Sequence, residues 1–174
     1  MDYTNMMYTV MGIINNVHNN VKEIRPDFFS NISELNSIRL NDCAVYSNSF
    51  SNTGLETVTA NNVVFAGTNV FRNCGNIVNI SLSNCKLSND MFIGSSNVKE
   101  INISNCPTIK PNFITDINGA NIRISDVSVI SNNVFTYSDY CIVYLQNVPS
   151  SQYTMGDCSR WGLGSNSYIA QVIN

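Results

Sequence analysis

Charge is what this sequence has least of. Charged side chains make up 12% of its 174 residues and the net charge is −3. That excludes a phosphate-neutralising nucleic-acid surface and a basic face for membranes. The only histidine, His18, has no carboxylate cluster around it in sequence, and no convergent acid, base and nucleophile can be picked out. A non-enzymatic chain is expected, with no cofactor. No C-x-x-C pair accompanies a histidine, so no metal site is expected either. No apolar run approaches the ~20 residues of a spanning helix. The amino terminus, Met1-Asp2-Tyr3-Thr4-Asn5, carries no positive region ahead of its apolar residues, so neither membrane insertion nor an ordinary signal peptide is expected. Asn31-Ile32-Ser33, Asn79-Ile80-Ser81 and Asn102-Ile103-Ser104 fit the glycosylation pattern, and without a leader none is read as modified.

What the sequence does have is a period. Leu35, Ile38, Leu40, Cys43 and Val45 set an apolar spacing that returns as Leu55, Val58, Ala60, Val63, Phe65 and then as Ile77, Ile80, Leu82, Cys85, Leu87. Val98, Ile101, Ile103 and Cys106 repeat it again, and Ile122, Ile124, Val127 and Val143, Leu145, Val148 keep its centre. Phe29, Phe50, Phe71, Phe92 and Phe113 run in phase at twenty-one residues, and Phe135 follows after twenty-two. A fixed period of that length predicts a solenoid of about six stacked turns. The alternating centre of each copy predicts a strand, with Ile38 and Leu40 inward and Ser37, Arg39 and Asn41 outward, so that the copies build one parallel sheet. The Asn/Ser-rich returns predict turns and short extended or 3₁₀ pieces, with little helix.

Cys43, Cys85 and Cys106 share a position that Val63, Val127 and Val148 fill in other copies. A site that takes Cys or Val wants a small buried apolar group, so these thiols are expected to be reduced, as is Cys74; Cys141 and Cys158 stay open. Asp42, Asn62, Asn84, Asn105, Asp126 and Asn147 occupy the position just before it. There a side-chain carbonyl is expected to accept from backbone amides that turn away from the strand. Around Asp116-Ile117-Asn118-Gly119-Ala120 the period lapses, which predicts a local bulge or loop.

Three segments follow. Residues 1–25 place Tyr3, Met7, Val10, Ile14, Val17, Val21 and Ile24 at heptad spacing, the stripe of an amphipathic helix that Pro26 ends. That helix suits self-association into a homo-oligomer or a cap folded over the first turn. Residues 26–149 are the array. Residues 150–174 leave the period, hold Gly162-Leu163-Gly164 as a turn, and carry Tyr153, Trp161, Leu163, Tyr168, Ile169 and Val172, enough to cover the last turn.

The repeated segment, written out as Phe71-Arg72-Asn73-Cys74-Gly75-Asn76-Ile77-Val78-Asn79-Ile80-Ser81-Leu82, resembles the BspA-like class of leucine-rich repeats, whose copies read A-F-x-x-C-x-x-L-x-x-I-x-I. Asn48 through Val58 fits with one residue fewer between Phe50 and Leu55. The resemblance covers about residues 24 to 149; the usual I-P-x-S-V turn is replaced by Asn/Ser-rich turns, and the heptad segment stands in front. It implies a leucine-rich repeat solenoid, and for function binding or adhesion only, since a fold names no partner.

The surface expected to make contact is the outward, concave row of the sheet: Arg39, Thr57, Thr59, Asn79, Ser81, Glu100, Asn102, Arg123 and Tyr144. Of these, Arg39, Arg123 and Tyr144 are of the types that dominate protein contacts. The expected partner is a protein or a glycan, met by several copies displayed together, in a setting that could be a virus or phage surface or the cytoplasm. The alternative is a structural part of a larger assembly whose repeat face is inert.

Overall fold

Alternating inward Ile, Leu or Val with short outward polar residues gives every turn one five-residue strand, and stacking the turns in register lets each strand hydrogen-bond the next. The computed structural model describes residues 21–173. Its strands are β1 (Glu23–Ile24), β2 (Ser37–Asn41), β3 (Ala44–Val45), β4 (Thr57–Asn61), β5 (Val64–Phe65) and β6 (Asn79–Ser83). They continue as β7 (Glu100–Ser104), β8 (Thr108–Ile109), β9 (Asn121–Ser125), β10 (Val129–Ile130), β11 (Ile142–Gln146) and β12 (Tyr168–Ile173). The main sheet is parallel and runs β12-β11-β9-β7-β6-β4-β2. Short strands on another side of each turn form two smaller parallel sheets, β1-β3-β5 and β10-β8. Helix among the described residues is confined to two 3₁₀ turns in the tail, Ser150–Gln152 and Ser159–Trp161. No helix described is long and apolar enough to cross a membrane.

The inward set is buried throughout, Leu35, Ile80, Leu82, Ile101 and Val143 among it. Beside it runs a column of phenyl rings. Phe29, Phe50, Phe71 and Phe92 stack at centroid distances of 5.3, 5.4 and 4.8 Å. Each such pair adds about 1 kcal/mol to the burial itself. The column then slips: Ile114, not Phe113, bridges Phe92 in the next turn, and Phe113 meets Phe92 edge-on at 60°. The extra residue of the twenty-two therefore falls before Ile114 rather than after Phe113. Three residues beyond the ring, small polar side chains are buried and satisfied by ring-residue carbonyls. Thr53 Oγ1 donates to Phe50 O at 2.9 Å, Cys74 Sγ to the same oxygen at 3.0 Å, and Ser95 Oγ to Phe71 O at 3.1 Å.

Asparagine has a backbone task here beyond keeping the chain wetted. Every turn bends at three places where φ is positive, and Asn or Asp fills nearly all of them. One column is Asp42, Asn62, Asn84, Asn105, Asp126 and Asn147, at φ 51–54°. The second is Asp27, Asn48, Asn69, Asp90, Asn112 and Asn133; the third is Asn31, Asn52, Asn73, Gly94, Asp116 and Tyr137. Left-handed backbone costs an ordinary residue about 1–2 kcal/mol and costs Asn and Asp less, which is why these two types recur at the corners. The expected side-chain capping of backbone amides at the first column is not what the residues do. Their own N–H groups donate to the next turn, as Asn84 N to Ser104 O at 3.0 Å, and at two steps their side chains bond one another, Asn62 Nδ2 to Asp42 Oδ1 at 2.7 Å and Asn147 Nδ2 to Asp126 Oδ1 at 2.9 Å. Asn52 and Asn73 extend the same ladder along the third column, at 3.0 and 3.1 Å.

All six cysteines are free and buried, Cys141 and Cys158 included. Burial pushes the Cys43, Cys74 and Cys141 thiols up, and that of Cys158 up to about 11, so they stay protonated and act as small apolar groups. Cys106, whose sulfur accepts from Cys85 N–H at 3.4 Å, is held high first by its Cys85 neighbour and then by burial.

The ends depart from the sequence reading. Tyr3, Met7, Val10, Ile14 and Val17 of the heptad stripe lie outside the described residues. Ile24 does not continue a helix: it is in β1, buried, and pairs with Val45, while Val21 packs partly buried against the core. The array thus begins before Pro26, because Glu23-Ile24 has the same place in its turn as Ala44-Val45 and Val64-Phe65. At the other end the tail does more than cover. Trp161, Leu163 and Ile169 enter the core, and β12 adds a seventh strand to the sheet. The lapse around Gly119 is present as expected: Gly119 has φ 70°, and buried Ile117 and Ala120 on either side close the gap.

Asp139 fastens this tail. It accepts from the backbone N–H of Tyr140 and of Asn166 at 2.8 and 3.0 Å, and from Asn166 Nδ2 at 2.8 Å. The Asn166 side chain, then the Tyr140 amide, hold its carboxyl below the ordinary 3.8. A carboxyl lowered on folding contributes stability that is present above its unfolded value and lost as pH falls through its folded one. Acidification below about pH 4 should therefore loosen the tail first. Trp161 is the only tryptophan and lies in that tail, so its emission should shift red in this range before β6 and β7 lose structure. In Asp139→Asn that acid step should shrink to the part carried by Asp157, whose carboxyl is also held low, by Ser159; an unchanged step would assign it to other groups.

Candidate functional site

Register builds the outward face as three rows. Arg39, Thr59, Ser81, Asn102, Arg123, Tyr144 and Gln171 share the middle row, each paired with the next. Ser37, Thr57, Asn79, Glu100, Asn121, Ile142 and Tyr168 lie on one side of it. Rows sit about 7 Å apart along the strands and neighbours in a row about 4.8 Å apart.

Within this lattice the expected contact residues separate. Arg39 stands on β2, four strands from Arg123 on β9, roughly 19 Å at that strand spacing. Thr57, Thr59, Asn79 and Ser81 fill the interval with short polar groups on β4 and β6. Glu100, Arg123 and Tyr144 come together instead. Glu100 Oε2 accepts from an Arg123 guanidinium nitrogen at 2.6 Å, and Glu100 Oε1 accepts from Asn121 Nδ2 at 2.7 Å. The Arg123 guanidinium carbon lies 5.0 Å from the centroid of the Tyr144 ring. β7, β9 and β11 thus each give one member to a chain of contacts that sets the direction of both long side chains. Both partners of the ion pair are partly exposed, at 50% and 36%, so its value lies in orientation more than in stability.

Below this cluster, toward the end of the array, the face holds a shallow groove of about 340 Å³. Asn102, Ser104, Arg123, Ser125 and Tyr144 line it, and the far wall is Gln146, Gln171 and Ile173. The last two were invisible as site residues in the sequence, where the tail read only as a cover. What hid them is a bulge: β12 pairs with β11 as Val143 with Ile169 but Tyr144 with Gln171, skipping Ala170. The skip breaks the two-residue alternation by which a strand is recognised.

Comparison with known proteins agrees with this architecture. The chain matches the BspA type leucine rich repeat region in six copies over residues 22–142. The match opens at β1, as the core does. No curated protein and no solved structure matches the chain. A repeat region of this kind points to a protein-interaction or scaffold role. With seven parallel strands stacked turn on turn, and six matched copies over most of its length, the chain belongs to the BspA-type leucine-rich repeat family.

Proposed function

We propose that the chain is a non-enzymatic binding module. Its contact surface is the outward sheet face, centred on Glu100, Arg123 and Tyr144, and several copies present it together through the N-terminal segment. The observation that supports this most is the fixed Glu100–Arg123–Tyr144 chain: two long side chains of the types that dominate interfaces are already oriented before any partner arrives. Many weak copies on one particle, such as a virus or phage surface, would gain by multivalency.

A partner recovered on the intact chain should be lost, by about tenfold or more in affinity, from Arg123→Glu/Tyr144→Ala. Arg39→Ala, four strands away, should change it little. Equal losses from both would disperse the site over the whole face; no loss from either would remove the face from the function. Light scattering gives the companion measurement, with the intact chain beside a version starting at Val21 that keeps β1. A multiple of the 19.3 kDa chain mass that falls to monomer on truncation supports assembly through the first residues. A monomer in both sinks it.

One observation favours the second reading, a structural part in a larger assembly. β12 is an edge strand of uncharged sequence, Tyr-Ile-Ala-Gln-Val-Ile, with Tyr168 and Ile173 exposed. Edges without charge or proline are open to pairing with another chain.

A further inference from the structure

The groove at the end of the sheet face carries no net charge. Its arginine is closed onto Glu100 at 2.6 Å, so an anionic ligand would meet a cation already neutralised. Its remaining polar lining is Asn102, Ser104, Ser125, Gln146 and Gln171. Each of these amides and hydroxyls both donates and accepts, as the hydroxyls of a sugar do. They repeat on the lattice of the sheet, so the polar groups come in an ordered array rather than a scattered set.

The same groove offers a peptide little. Ile103, Ile124 and Leu145 line it but are buried in the strands, 1–2% exposed, so no apolar hole opens for a side chain to anchor in. What is apolar and accessible is Ile173, 47% exposed on the far wall, and the partly exposed ring of Tyr144, held in place by the guanidinium 5.0 Å from its centroid. An aromatic ring bordered by amides, hydroxyls and one guanidinium already paired with Glu100 is complementary to a pyranose, whose faces carry C–H and whose rim carries O–H. The volume, about 340 Å³, is at the small end for ligand sites and suits one or two rings of a longer chain.

From this we infer that the groove binds a neutral oligosaccharide, with Tyr144 as the platform and the Asn, Gln and Ser side chains reading its hydroxyls. The inference rests on the reading of the sheet face as the contact surface and names the ligand class for it.

Ligand-observed NMR on the full chain tests it, with maltohexaose, cellohexaose and mannohexaose as neutral probes and a heparin hexasaccharide as the anionic one. At least one neutral hexasaccharide should bind with a millimolar or tighter Kd, and Tyr144→Ala should weaken it about tenfold. Tyr144→Phe should keep most of the binding, and Trp161 emission verifies that each variant is folded. Three results overturn the inference: no neutral probe binds; binding survives Tyr144→Ala; or the heparin fragment is preferred. If the saccharides fail while Arg123→Glu/Tyr144→Ala still loses a protein partner, the contact-surface reading stands and the saccharide falls alone.

Discussion

Phe71→Ala is expected to lower the stability of the array by about 4 kcal/mol, within the usual range for deleting a buried phenyl ring from a core. Phe71 is fully buried and has a stacked neighbour on each side, Phe50 at 5.4 Å and Phe92 at 4.8 Å, with Phe65 edge-on at 5.9 Å. Neither stacked ring can move into the space, because each is fixed by its own turn. Since turns touch only their neighbours, a gap in the middle also weakens the coupling between the two halves. Denaturant unfolding should then show a lower midpoint and a broadened or split transition. Phe29→Ala, at the first turn, removes a ring stacked on one side and should cost clearly less. Equal losses at the two positions would mean that ring stacking contributes little beyond simple burial.

Gly54→Ala is expected to cost about 3 kcal/mol, the upper part of the range for overfilling a packed site. A Cβ on Gly54 would overlap the carbonyl oxygen of Ser33 in the preceding turn. That oxygen is backbone and held by the stack, so it has little freedom to give way. The close approach follows from turn length: Ile38 pairs with Val58, twenty residues on, whereas Val58 pairs with Ile80, twenty-two on. The shorter turn draws its backbone against its neighbour, and only a residue without a side chain fits. Gly75→Ala is the opposite case. Nothing lies within 4 Å of its would-be Cβ and its φ is not left-handed, so restricting the unfolded chain should raise stability by about 0.5 kcal/mol. Thermal melts of the two variants should move in opposite directions, and a shift of the same sign in both would refute the packing argument.

Gly54 was visible in the sequence only as part of a copy with one residue missing. The consequence of that deletion depends on the neighbouring turn, which no single repeat contains. The phenyl column shows the same limit. Counting by twenty-one put Phe113 in it, yet Ile114 takes the place, because the insertion lies between Phe92 and Ile114 and either side chain could fill the slot. At the strand exits the Asn/Asp column was legible as a pattern, but its cause lies in φ and in turn-to-turn hydrogen bonds.

The candidate site divides along similar lines. Asn102, Arg123 and Tyr144 are twenty-one residues apart, so their shared row could be read by counting. That Glu100 reaches diagonally to Arg123, and Arg123 to Tyr144, depends on side-chain directions across three strands. Arg39 belongs to the same row by period and stands apart from the cluster by distance.

What the sequence determined by itself is the repeat: its period, the inward apolar set, the outward polar rows and the buried thiols. Each follows from local alternation or from position within one copy, and local rules are written in every copy. What only the tertiary structure decided is where copies fail to match. The slip at Ile114, the tight approach at Gly54, the entry of Ile24 into the first turn and the seventh strand behind its bulge all depend on a neighbour that the residue itself does not specify. In a stack, register is set between turns, by hydrogen bonds and packing that exist only once the turns meet.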